Sequence, residues 1–229
     1  MRSFLFAVGV SLGVATPALA MEEGMTFHMV RAEIDTQIDG ENAFNWDGEA
    51  WIGGDRNRLW LKSEGEIEDG DTHSAELQAL WSRSVADFWD VQTGLRVDLE
   101  PDTTTYLVIG LQGLAPYQFE TEATAFVSEH GDISARFHQS LDFHFTQRLV
   151  AEPHIEVNAY AQDVEERNIG AGLSDVEVGL QLRYEISRKF APYVDLVWER
   201  ALGETASLMR ADGEDIEGSA LRAGVRFWF

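Results

Sequence analysis

The stretch Ala220-Leu221-Arg222-Ala223-Gly224-Val225-Arg226-Phe227-Trp228-Phe229 decides the fold. Leu221, Ala223, Val225, Phe227 and Phe229 share one phase of a two-residue period, and Arg222, Gly224, Arg226 and Trp228 share the other. Successive side chains of a strand point to opposite faces, so the segment presents one apolar wall and one polar wall. Gly224, Phe227 and Phe229 form Gly-x-x-aromatic-x-aromatic, ending on Phe. That ending reads as the assembly signal of an outer-membrane barrel, with the barrel-assembly machinery as the partner that recognises it.

The same alternation recurs upstream. From Trp89 to Leu99, Trp89, Val91, Leu95, Val97 and Leu99 alternate with Asp90, Gln92, Arg96 and Asp98. Repetition of such segments of about ten residues is the signature of a membrane-spanning β-barrel. Twelve are expected, near 27–36, 44–53, 56–66, 74–84, 89–99, 105–114, 119–128, 133–144, 148–160, 175–186, 192–200 and 218–229. The expected fold is all-β: a closed antiparallel transmembrane β-barrel of about 12 strands, apolar towards outer-membrane lipid and polar towards a lumen.

The connections divide by length. Gly53–Asp55, Val85–Asp87, Ala115–Tyr117, Phe145–Gln147 and Ser187–Lys189 are short and follow every second strand, as periplasmic turns do. Gln37–Ala43, Gly65–Thr72, Gln162–Ser174 and Ala201–Glu217 are longer and are expected as extracellular loops. Trp46, Trp51, Trp81, Trp89, Trp198, Tyr117 and Tyr193 lie mainly near strand ends, where interfacial aromatics sit. Trp60 and Trp228 fall on the polar phase and are expected inside.

Residues 1–20 read as a signal peptide. A positive Met1-Arg2-Ser3 precedes an apolar Phe4–Val14 and the cleavage motif Ala18-Leu19-Ala20. The apolar run is shorter than the roughly 20 residues a spanning helix needs. Residues 21–26 would form a short periplasmic segment and 27–229 the barrel, placing the protein in the cell outer membrane. The absence of cysteine excludes disulfides and thiolate metal sites. The formal charge of −23 argues against nucleic acid as a partner.

Charged residues on the polar phase include Glu76, Asp90, Asp98, Glu120, Glu122, Asp142, Glu156, Glu177, Arg96, Arg136, Arg183 and Arg226. In a narrow barrel they would pair into a salt-bridged plug. Their acidic excess would also draw cations inward. His138, His144 and His154 share that phase. A turn centred on Thr146 would set His138 directly opposite His154 and Arg136 opposite Glu156, with Cβ atoms about 5 Å apart. Two imidazoles so placed suit a borderline metal such as copper or zinc. Near the mature N-terminus, Met25, His28 and Met29 offer softer ligands suited to copper. Ser140 lies near His154 and Asp142, but on the lumen phase rather than the lipid-facing wall a lipase-like barrel uses, so no catalytic group is assigned.

Several motifs, in order, resemble one family: Asp55-Arg56-Asn57-Arg58-Leu59-Trp60-Leu61-Lys62, Phe88-Trp89-Asp90, Gly110-Leu111-Gln112-Gly113-Leu114-Ala115-Pro116-Tyr117, Thr146-Gln147-Arg148-Leu149, Gly172-Leu173-Ser174-Asp175, Phe190-Ala191-Pro192-Tyr193 and Gly224–Phe229. The chain is similar over 44–229 to the copper resistance protein B family. The resemblance implies an outer-membrane barrel that binds copper ions and serves copper homeostasis or resistance, with a periplasmic copper protein as a further partner. Many members carry a Met-, His- and Asp-rich segment before the barrel. Here about six residues separate the cleavage motif from the first strand, which moves the expected copper handling into the lumen. A general cation or small-solute channel, and a structural barrel closed by salt bridges, stand beside that reading.

Overall fold

The computed structural model describes residues 26–40, 43–164 and 167–229. The signal peptide, and Met25 among the proposed ligands, lie outside them. Thirteen stretches of strand form one antiparallel barrel: β1 (Phe27–Gln37), β2 (Ala43–Gly53), β3 (Asn57–Glu68), β4 (Asp71–Ala86), β5 (Trp89–Glu100), β6 (Thr104–Ala115), β7 (Phe119–Ser128), β8 (Ile133–Ser140), β9 (Phe143–His144), β10 (Leu149–Tyr160), β11 (Gly172–Tyr184), β12 (Phe190–Ala201) and β13 (Glu217–Trp228). β8 and β9 are one stave interrupted at Leu141–Asp142, since both pair with β10. That makes the twelve expected staves.

The sheet closes on itself. β1 pairs with β13 from Arg31 opposite Trp228 to Gln37 opposite Arg222. Val30 and Phe229 extend that ladder with two backbone hydrogen bonds of 2.9 Å. Closure pairs the strand edges that an open sheet would leave bare, a requirement inside lipid.

The alternation sorts the faces as the sequence predicts. Leu59, Leu61, Leu95, Leu107, Ile109, Leu180 and Leu196 are exposed on the outer wall. Trp60, Leu80, Tyr106, Val108 and Phe126 form a buried cluster inside, with Met29 and Trp51 packed against it. Part of the interior, against β3–β7, is therefore apolar filling rather than charge. Trp60 is inside as expected. Trp51 and Tyr193, expected as interfacial aromatics, also point inward. Trp51 lies 6.1 Å from Trp60 between ring centroids, and the buried Tyr193 hydroxyl donates to Asp35 at 2.8 Å. Trp228, expected inside, is 56% exposed where its strand ends.

Three local expectations are corrected. The segment Gly65–Thr72 is mostly strand, because β3 and β4 meet at a two-residue turn, Asp69–Gly70. Both residues have positive φ, 51° and 95°, which an Asp-Gly pair accommodates and which matches strand twist. The connection after β12 contains a helix, α1 (Gly203–Asp212), closed by Gly213 in the left-handed conformation. Thr205 and Ala206 bury its inner side, and the Thr205 hydroxyl accepts from the Gly170 N–H at 3.0 Å. Third, the turn between β9 and β10 centres on Gln147, because Val150 opposes His144 and His154 opposes Ser140. Thr146 sits at the start of the turn, its Oγ1 accepting from the N–H groups of Arg148 (3.2 Å) and Leu149 (2.9 Å). A threonine with that bonding opens a turn rather than centring it.

Candidate functional site

The shift in the turn moves every pair across this hairpin by two residues. His138 lies opposite Glu156, and Arg136 opposite Asn158. The expected direct pairs His138–His154 and Arg136–Glu156 are thus diagonal neighbours on the lumen face. Diagonal neighbours remain within reach of large side chains. The imidazole rings of His138 and His154 lie 6.4 Å apart between centroids, and Arg136 Nε is 3.5 Å from Glu156.

The other expected ligands among the described residues do not join them. His144 is exposed and six residues beyond His138, about 20 Å along the strand. His28 and Met29 are consecutive on β1 and so face opposite ways. His28 is exposed, while Met29 packs inward against the Trp60 cluster.

Around the histidines is a cavity of about 890 Å³, lined by thirteen carboxylates against four arginines. Its lining runs from Ser84, Phe88 and Leu114, near the short turns, to Asp35, Asn45 and Glu66, near the opposite ends of β1–β3. Glu120, Glu122, Glu156, Glu177 and Arg226 all contribute to it. Asp90 takes Arg58 at 2.9 Å and Glu122 takes Lys62 at 2.7 Å.

Charged crossbars span the rest of the interior. Arg136 of β8 reaches Glu64 of β3 at 2.6 Å and Glu76 of β4 at 3.3 Å. Arg96 pairs with Glu76 (2.7 Å) and Asp98 (2.6 Å), its guanidinium over the Phe126 ring at 4.9 Å. Arg167, from the β10–β11 connection, enters the lumen to meet Asp98 at 3.2 Å. Sequence reading did not single out Arg167, since a loop residue has no phase. A second group joins Arg226 to Glu33 (2.6 Å) and Glu152 (3.0 Å), and Arg183 to Glu152 and Asp142.

The residues of the proposed assembly signal also take packing roles. Gly224 lies opposite Tyr193, whose ring covers it. Phe227 stacks near Phe190 at 5.4 Å, and Lys189 lies 5.0 Å from the Phe229 ring.

The sequence profile described as copper resistance protein B precursor matches residues 25–229. The chain belongs to the copper resistance protein B family. Copper resistance protein B of Escherichia coli is 45% identical over 83% of this chain and 65% of its own length. A copper resistance protein B homolog of Pseudomonas syringae pv. tomato is 44% identical over 82% of this chain and 64% of its own. The chain thus spans a little under two thirds of these family members. Among solved structures, a NanC porin superposes with a TM-score of 0.57 at 13% identity, over 88% of this chain and 99% of that one. KdgM porin does so at 0.52 and 10% identity, again over 88% and 99%. At these identities they establish the outer-membrane barrel fold and nothing further.

Proposed function

We propose that this protein resides in the outer membrane, binds copper ions in its lumen and contributes to copper resistance or homeostasis by passing the ion through an acidic interior. The observation that carries this reading is the pair His138–His154, 6.4 Å apart, within a cavity of thirteen carboxylates. Imidazole is a good copper ligand, and a carboxylate-rich, low-dielectric cleft concentrates cations at its mouth. Membership of the copper resistance protein B family supports copper as that cation. An anionic oligomer such as the oligogalacturonate with which KdgM porin has been solved would be repelled by this acidic lining. A periplasmic copper protein would exchange the ion at the end bearing the short turns.

A structural, closed barrel is the second reading, supported by the Arg136 crossbar to Glu64 and Glu76. Copper titration of the folded mature protein separates the two. Saturable binding that is lost in the double variant His138→Ala/His154→Ala supports the lumen site. Binding that the double variant leaves intact moves copper elsewhere, and no binding at all favours the closed barrel.

A further inference from the structure

The two ends of the barrel carry opposite charge. At the end bearing the long loops, Asp39, Asp69, Asp71, Asp102, Glu129 and Asp215 are exposed, with Arg200 and Arg210 as cations among them. At the end bearing the short turns, Arg56, Arg83, Arg148, Arg188 and Lys189 are exposed. The chain has 17 Lys and Arg against 40 Asp and Glu, so this rim reverses the balance of the whole. Among the described residues none of the five cations is in an ion pair. Asp90 and Glu185, at the same end, are held by Arg58 and Arg183. Glu120 lines the cavity and Asp142 pairs with Arg183, so both belong to the lumen. Asp55 and Asp87 are the exposed acids left on the rim.

The cations stand in two groups. Arg83 lies in the outward phase of β4, between the exposed Trp81 and Val85. The Ser84 N–H donates to the Arg56 carbonyl at 2.9 Å, and Asn57 lies opposite Arg83. Arg56 therefore flanks Arg83 at one corner. Elsewhere on the rim, the Glu185 N–H donates to the Arg148 carbonyl at 2.7 Å, and the Trp228 N–H to the Lys189 carbonyl at 3.2 Å. Those bonds gather the turns that bear Arg148, Arg188 and Lys189 beside the exposed Trp228 and Phe229. An arginine on the outer wall is costly at the middle of a bilayer and tolerated at its edge. Its apolar stem lies along the wall while the guanidinium reaches headgroup level, where interfacial tryptophans also sit. A guanidinium matches the geometry of a phosphate.

We propose that the short-turn rim binds the headgroups of anionic phospholipids, with Arg56 and Arg83 forming one phosphate seat and Arg148, Arg188 and Lys189 the other. This rests on the outer-membrane placement above and is independent of copper. The outward phase of Arg83 favours a lipid over a periplasmic protein, because the bilayer covers that wall. Unpaired cations at a membrane surface draw anionic lipid to them.

The test is tryptophan quenching in bilayers. Folded mature protein is reconstituted in phosphatidylcholine vesicles, into which brominated phosphatidylglycerol or brominated phosphatidylcholine is titrated. Trp81 and Trp228 report the lipid at this rim. Wild-type protein is expected to favour phosphatidylglycerol about threefold or more, and the preference to shrink as salt shortens the Debye length. It disappears in Arg56→Gln/Arg83→Gln/Arg148→Gln/Arg188→Gln/Lys189→Gln and survives in Arg200→Gln/Arg210→Gln, which removes cations from the opposite end. Equal quenching by the two lipids in the wild type overturns the proposal and leaves the rim to an acidic periplasmic protein. A preference that the five-site variant keeps, or that the loop-end variant loses, overturns it as well. Retarded migration on unheated gels confirms that each variant is folded, so any of these failures leaves the outer-membrane placement standing.

Discussion

Arg136 of β8 and Glu64 of β3 meet 2.6 Å apart across the inside of the barrel, joining residues 72 positions apart in the chain. The same guanidinium reaches Glu76, which is buried, and approaches Glu156. One side chain thus neutralises carboxylates from three staves, and its reach limits how wide the lumen opens.

Replacing Arg136 with alanine removes that charge and leaves carboxylates facing one another in a low-dielectric interior. Breaking a buried ion pair from one side typically costs about 3–5 kcal/mol. The urea midpoint of the barrel in detergent is expected to fall accordingly, and single-channel conductance in planar bilayers to rise. An unchanged midpoint and conductance would show that the crossbar neither stabilises nor obstructs.

Tyr193 ties β12 to β1 through its hydroxyl, and Asn45 donates to the same Asp35 at 2.9 Å. Tyr193→Phe keeps the ring over Gly224 and deletes only the donor. Asp35 is half-buried and faces the cavity, so loss of this hydrogen bond costs about 1 kcal/mol. The expected result is a lower urea midpoint with an unchanged denaturant slope; wild-type stability would mean that Asn45 alone suffices.

The thirteen-to-four imbalance of charge in the cavity has a sign that an electrode can read. In a potassium chloride gradient the reversal potential is expected to report cation preference. That preference should weaken as salt rises and the Debye length contracts from about 10 Å at 0.1 M to about 3 Å at 1 M. Anion preference at low salt would contradict the assignment of the lining.

Strand existence and facing were legible in the sequence, because a wall between lipid and lumen writes its two sides into every second residue. Leu107 and Ile109 outside, with Tyr106 and Val108 inside, follow that period directly. Register was less legible. His138 and His154 were recognisable as a pair, but their offset depended on whether Thr146 opened the turn or centred it, a matter of two hydrogen bonds to its hydroxyl. Polarity alone misplaced Gly65–Thr72 as a loop, since β3 and β4 keep their ladder out to the Asp69–Gly70 turn. Alternation also cannot separate an outward aromatic at the interface from an inward one. Trp51 and Tyr193 needed the pairing that sets them beside Trp60 and Asp35. Helix α1 and the inward reach of Arg167 come from tertiary contacts with no local period to announce them.

Copper entry into sealed proteoliposomes tests the central claim most directly. With a copper-quenched dye trapped inside, wild-type protein is expected to quench it faster than empty vesicles do. The double variant His138→Ala/His154→Ala should lose that advantage while keeping its potassium chloride conductance. Quenching no faster than in empty vesicles, or equal in wild type and variant, would contradict a lumen that handles copper.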